Sequence, residues 1–364
     1  MKVKYIYSAC LEIDCNGFKI LTDPWFTDGV YDGSWYQFPV VDPFEHISKP
    51  DLIYISHIHP DHYDPVFLKD LISKFGQIDI VIPDLNPNYL LLKGKADGIE
   101  LIPTKHIRNE FVEIFIEEND TGSISDIDSA LIIKDLNSNE VLLNLNDCIY
   151  NQTHVDKLKS IIDSIGNKVD LLALAYTGAG PYPQTYFDAD IEKEKLISEA
   201  DKKRTGFFER YKQFIENFNS SYNLPFAGEY ILGGKLHHLN QYRGVADAFE
   251  IKNFDDNAVI LSPGGQINIS TEEILGERDS CHSEDELLDR INAVKGNLYD
   301  YQKEVKLSIE KINFPRLLKQ AALKASSKSE IEGEYHFIFS ILDLDDSVKF
   351  RYVLRTSTAS IELI

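Results

Sequence analysis

The segment Ser56-His57-Ile58-His59-Pro60-Asp61-His62 places three imidazoles and a carboxylate within six consecutive residues, 57–62. Imidazole nitrogen and carboxylate oxygen are ligands for Zn, Fe or Mn. In a tight loop the alternate residues His57 and His59 can face one ion, while Asp61 and His62 turn toward a second. A pair of such ions can hold and ionise a water, lowering its pKa from about 15.7 toward 7. A chance cluster of surface histidines is a poor account, because the chain has only 10 histidines and this cluster follows directly on an apolar run.

Loop ligands need rigid elements behind them. Residues 51–56 read as a strand buried on both faces, ending on His57. Ahead of it, 2–7, 10–15 and 19–22 form a strand meander with Asn16-Gly17 as its hairpin turn. Helical spacing over 65–74 is followed by strands at 78–82, 111–116, 130–133 and 141–144. Asp147 falls just past the last of these. A helix over 154–165 and a strand over 170–175 lead into the segment 176–183, whose glycines can bring backbone close to a ligand. A long charged helix spans 191–218, and 227–232 and 259–261 read as closing strands. This order predicts an α/β fold with helices packed outside sheets. From residue 283 the texture changes to helices over 284–294 and 299–327, then alternating strands at 335–342 and 347–356 around a 343–346 turn. The expected division is a main domain of residues 1–282 and a small α+β appendage of residues 283–364.

The charge balance limits partners. Against 59 Asp and Glu stand 37 Lys and Arg, a net charge of -22, and no basic run tracks along the chain. Such a surface repels phosphate backbones, so nucleic acid is disfavoured as the main substrate. No apolar run approaches the roughly 20 residues that span a bilayer, and the opening residues do not read as a signal peptide. Cys10, Cys15, Cys148 and Cys281 are too scattered for a disulfide scaffold or a cysteine zinc site. A reducing cytoplasm is the expected setting.

The H-x-H-x-D-H pattern of residues 57–62 resembles the signature of the metallo-β-lactamase superfamily, and the likeness runs over roughly residues 1–270. Ile20-Leu21-Thr22-Asp23-Pro24-Trp25-Phe26 resembles the meander of the branch that holds UlaG-like lactonases and N-acyl-phosphatidylethanolamine phospholipases. Asp128-Ser129-Ala130-Leu131, Asn144-Leu145-Asn146-Asp147-Cys148 and Pro225-Phe226-Ala227-Gly228 are similar to stretches of the CMP-N-acetylneuraminate hydroxylases and their bacterial relatives. The resemblance implies a four-layer αββα sandwich holding two divalent ions, zinc or iron, with manganese a third option. It assigns His57 and His59 to the first ion, Asp61 and His62 to the second, and Asp147 to a bridge between them. In the family the third ligand of the first ion is a histidine, but Ser125-Asp126-Ile127-Asp128-Ser129 contains none. Asp128 or Asp126 can stand in, and a carboxylate there favours iron over zinc; His106 is the rival. The last ligand of the second ion is His237 or His238.

Around this set, Asp23 can orient a ligand histidine through its second nitrogen or simply shape a turn. Trp25, Trp35, Tyr176 and Tyr182 can wall a substrate pocket or fill core, and Asp64 reads as a helix cap. The leading expectation is a hydrolase in which a metal-bound hydroxide attacks a small ester, lactone, amide or phosphodiester. Asp61 or Asp147 would then shuttle the proton to the leaving group. The alternative is a diiron oxygenase hydroxylating a nucleotide-linked or N-acylated sugar. Its electrons would come from a separate protein, since four dispersed cysteines cannot build a Rieske cluster.

Overall fold

In the computed structural model, residues 1–122, 127–166, 168–303, 312–328, 336–342, 348–355 and 360–363 are described. Asp126 and the 343–346 turn lie outside the described residues.

The expected meander forms as β1 (Lys2–Tyr7), β2 (Cys10–Cys15) and β3 (Phe18–Thr22), all antiparallel. After the short β4 (Trp35–Tyr36), strands β5 (Leu52–Tyr54), β6 (Asp79–Pro83) and β7 (Ile102–Thr104) extend the same sheet in parallel from β3. A second sheet holds β8 (His106–Arg108), β9 (Val112–Glu118), β10 (Ser129–Asp135), β11 (Val141–Asn144), β12 (Leu171–Ala175) and β13 (Tyr222–Phe226), adjacent in that order. The two-residue β14 (Ile231–Leu232) pairs with β4. β15 (Leu261–Asn268) and β16 (Glu273–Glu277) close the first sheet on the free side of β1.

Period-two alternation sorts the side chains into layers. Leu52 and Tyr54 face the second sheet and pack with Ile114, Leu131, Leu142 and Ala173. Ile53 and Ile55 face the other way, onto Phe67, Leu68 and Leu71 of helix α1 (Pro65–Phe75) and Leu90 of α2 (Tyr89–Asp97). On the second sheet, Ile132, Leu143 and Leu172 pack under α3 (Gln152–Ser164) and α4 (Lys193–Phe218). Each such aliphatic side chain, fully buried, contributes about 1.5–3 kcal/mol. The result is the αββα sandwich.

The helix α5 (Glu284–Val294) corrects the expected domain boundary. Its apolar stripe, Leu287, Ile291 and Val294, packs on Tyr36, Phe38 and Ile231. Arg290 on the same helix donates to the Gln37 carbonyl at 2.9 Å. The first compact unit therefore runs Met1–Asn297, and the second is Leu298–Ile364. In that second unit a helical turn, Asp300–Lys303, precedes α6 (Phe314–Lys328). There α6 packs on a three-stranded antiparallel sheet of β17 (His336–Leu342), β18 (Val348–Arg355) and β19 (Ser360–Leu363), one strand more than the alternation predicted. Among the described residues no helix is long and apolar enough to cross a membrane.

Candidate metal centre

Three strand ends meet at one rim of the sandwich. β5 runs out through Ile55 and Ser56 into His57, Asp128 immediately precedes β10, and Asp147 follows β11. Because β10 and β11 are antiparallel, the start of one and the end of the other lie side by side. Asn146 adopts φ 46°, a left-handed conformation that asparagine tolerates, and so turns the chain at Asp147.

His57, His62 and Asp147 each offer a ligand atom within 4.8 Å of one another. His62 Nε2 stands 3.6 Å from Asp147 Oδ2 and 3.9 Å from Asp61 Oδ2. His57 Nε2 stands 2.9 Å from His59 Nδ1 and 3.7 Å from Asp128 Oδ1. The loop thus gathers His57, His59, Asp61 and His62 with both distant aspartates. Three imidazoles and three carboxylates at a strand-end rim suit a pair of divalent cations.

The electrostatics fit that occupancy. Burial, with His62 as the next contributor, holds His57 well below its ordinary pKa. Burial works against a charge on His62 as well, yet the carboxylates of Asp147 and Asp23 outweigh it and keep that imidazole cationic. Asp61 is pushed up, first by burial and further by its neighbour Asp147. Asp147 goes the other way: burial opposes it, but His62 holds its carboxyl ionised. Without metal a proton stands in for a cation among these groups, and metal binding displaces such protons.

Behind the ligands lies a layer of fixed hydrogen bonds. Asp23, fully buried, accepts from the Ser56 amide at 2.7 Å and lies 3.1 Å from His62 Nδ1. Ser129 Oγ donates to the Ser56 carbonyl at 2.9 Å and meets the Tyr54 hydroxyl at 2.8 Å. That pins the residue beside Asp128 to the loop carrying His57. Tyr31 donates to Asp61 Oδ1 at 2.7 Å, and burial beside that carboxylate keeps the phenol protonated. Asp64 is the helix cap expected of it, accepting from Val66 and Phe67. It also holds the amides of Phe26 and Thr27, at 3.0 and 2.8 Å. Sequence reasoning missed Ser129, Tyr31 and Asn146; the polar pair Ser56 and Ser129 in otherwise apolar runs is the signal that could have found the first.

A cavity of about 510 Å³ opens on the centre, lined in part by Tyr31, Trp35, His59, Asp61, Asp128 and Asp147. Gly178, Gln184, Phe207 and Arg210 line it as well. Of the four aromatic residues expected as walls, Trp35 alone lines it. Trp25 is core, its ring 5.6 Å from Tyr7. Tyr176 is core beneath α4, and Tyr182 is turned outward to bond Glu199. His106 sits on the second sheet, paired with Glu113 at 3.1 Å and stacked on Phe115, so it is no rival to Asp128. His237 bonds the Gly234 carbonyl at 2.9 Å and His238 is exposed; neither is among the three residues, His57, His62 and Asp147, whose ligand atoms lie within 4.8 Å of one another.

Residues 2–142 match the model of the β-lactamase superfamily domain. The match to that family is confined to this part of the chain. A Mycobacterium tuberculosis protein named "Putative Rieske 2Fe-2S iron-sulfur protein" is 28% identical over 253 residues, 66% of this chain and 46% of that protein. The cytidine monophosphate-N-acetylneuraminic acid hydroxylase of Asterias rubens is 23% identical over 295 residues, 77% of this chain and 43% of that enzyme. The chain thus spans less than half the length of either relative. Among solved structures, an isothiocyanate hydrolase from Delia radicum gut bacteria shares the fold, with TM-score 0.51 and 14% identity over 74% of this chain and 98% of that one. A hydroxylase and a hydrolase thus both stand among the proteins that this chain is similar to.

Proposed function

We propose that this chain is a diiron oxygenase that hydroxylates a small molecule, using electrons delivered by a separate protein. The observation that carries this is Asp128, whose Oδ1 stands 3.7 Å from His57 Nε2 where the family resemblance calls for a histidine. It brings the set to three carboxylates and three imidazoles, a harder donor group that favours iron over zinc. The likeness to a sugar-nucleotide hydroxylase supports the same reading and suggests a nucleotide-linked or N-acylated sugar as substrate.

In this reading His57, His59 and Asp128 would hold one ion and Asp61 and His62 the other, with Asp147 available to both. Bound iron supplies dioxygen activation. Hydroxylation consumes O2, two electrons and two protons, and leaves a hydroxyl group and water. The protein's own part is positional. Asp23 and Ser56 fix the imidazoles, Tyr31 fixes Asp61, and Trp35 and Phe207 wall the cavity against water.

Hydrolysis by the same metal pair is the second reading. Its support is that all four cysteines are free, Cys10, Cys15 and Cys148 buried and Cys281 exposed, and that hydrolysis needs no electrons. Those buried thiols also suit a reducing cytoplasm. Elemental analysis of protein purified without added metal separates the two readings. Two irons with an oxo-bridge absorption band are expected; two zincs would sink the oxygenase and leave hydrolysis.

A further inference from the structure

The cavity holds a cationic side chain. Arg210, on α4, is the one Lys or Arg among the lining residues of the cavity that Asp61, Asp128 and Asp147 also line. The sequence offers 59 carboxylates, yet among the described residues none makes an ion pair or hydrogen bond with this guanidinium. It lies over the ring of Phe207, with Cζ 4.5 Å from the ring centroid. Burial pulls its pKa down while the more distant Asp147 and Asp128 pull it back, and a guanidinium stays charged throughout. A half-buried, unpaired charge is costly, and such charges ordinarily find partners.

A second side chain is incomplete in the same cavity. Gln184 is 2% exposed, and its Nε2 donates to the Gly180 carbonyl at 2.6 Å. A carbonyl can only accept, so this bond fixes which end of the amide is nitrogen. Its Oε1 is buried and has no hydrogen-bond partner.

We infer that Arg210 and Gln184 form a recognition site for an oxyanion, a carboxylate or a phosphate, on a substrate that also presents an O–H or N–H donor. Arg210 takes the anion through its N–H edge, held flat by Phe207, and Gln184 Oε1 accepts from the neighbouring donor. The rest of the substrate then spans toward Asp61 and Asp147. A cavity of about 510 Å³ accommodates a molecule of metabolite size. The inference rests on this cavity being the substrate site of the proposed enzyme, but not on which reaction the metals perform.

Three probes test it by calorimetric titration of the metal-loaded protein: mandelate (carboxylate and hydroxyl), phenylacetate (carboxylate only) and 1-phenyl-1,2-ethanediol (uncharged). Arg210→Gln should weaken both acids tenfold or more, as loss of a charge-assisted bond worth about 1.5–3 kcal/mol requires. The diol's affinity should not change, and Arg210→Lys should recover part of the loss. Gln184→Leu should abolish the preference for mandelate over phenylacetate. The melting temperature of Arg210→Gln should hold or rise, since no structural partner is lost. The inference is overturned if the acids bind the Gln variant as tightly as the parent, which would place them on the metals alone. It is equally overturned if neither acid binds up to about 10 mM. Metal content measured on the same samples keeps the two questions apart: zinc in place of iron refutes the oxygenase and leaves the Arg210 result standing.

Discussion

Asp23 and His62 are joined across the base of the metal loop, carboxylate Oδ2 to imidazole Nδ1 at 3.1 Å. The other oxygen of Asp23 accepts from the Ser56 amide, so one buried carboxylate sets both the start of the loop and the ring at its end. Asp23 itself sits at φ 38°, a conformation few non-glycine residues adopt, and this strain is consistent with a positional duty. With Nδ1 so engaged, Nε2 of His62 faces Asp61 and Asp147.

Asp23→Asn should therefore keep the fold but lower metal affinity by about 10–100-fold, the usual effect of removing a group that orients a ligand histidine. Competition with a chromophoric chelator measures this. Unchanged affinity would show that the pair only shapes a turn.

Ser129 ties the two sheets at the rim, through the Ser56 carbonyl and the Tyr54 hydroxyl. Ser129→Ala leaves those buried groups short of a partner, which costs about 1–3 kcal/mol. A lower urea midpoint together with reduced occupancy of the ion beside Asp128 is expected. A loss of stability with full metal occupancy would separate Ser129 from the centre.

Much of this arrangement was legible beforehand because local signals coincide with it. The meander around Asn16-Gly17, the apolar run before His57 and the strand before Asp147 all announce themselves by pattern. β13 did not, since Pro225 within it reads as a breaker; the strand is Tyr222–Phe226 and not 227–232. β15 was read only at its edge, because Pro263-Gly264-Gly265 resembles a turn, while pairing with β1 and β16 overrides that preference. At the site, Asp128 was one of several options until the rim placed it beside His57. Arg210 was invisible, as one charge among many on a helix patterned for solvent. What singles it out is the lack of a partner, a property that exists only in three dimensions.

His154, buried on α3, gives a pH test away from the metals. Burial holds the imidazole neutral and pushes its pKa from an ordinary 6.5 down to about 4, with Lys157 adding to the effect. The unfolded chain takes up this proton near 6.5, the folded protein near 4, so the unfolded state binds more protons in between. The contribution of His154 is then fully present above about 6.5 and is lost as pH falls toward 4, at most roughly 3 kcal/mol. Urea midpoints at pH 7 and 4.5 should fall further in the parent than in His154→Leu. Parallel losses in the two proteins would mean that His154 titrates normally.

Gly178 fixes the platform under Arg210. A Cβ at this position would lie 1.9 Å from Cζ and 2.1 Å from Cε2 of Phe207, far inside contact distance. Backbone conformation is not the obstacle, since Gly178 has no positive φ; the three nearest atoms all belong to that ring. Gly178→Ala must therefore push Phe207 aside, and with it the guanidinium lying 4.5 Å from the ring. Overpacking of this kind costs about 1–3 kcal/mol. Phe207→Ala alone should cost little, because that ring is partly exposed at the cavity wall. Combined with Gly178→Ala it should recover most of the lost stability, giving a favourable coupling between the two positions. Acid binding should not recover in the double variant, because the ring that holds Arg210 flat is then gone. Additive losses in denaturation would refute the contact, while full recovery of phenylacetate affinity would show that Arg210 orients itself without Phe207.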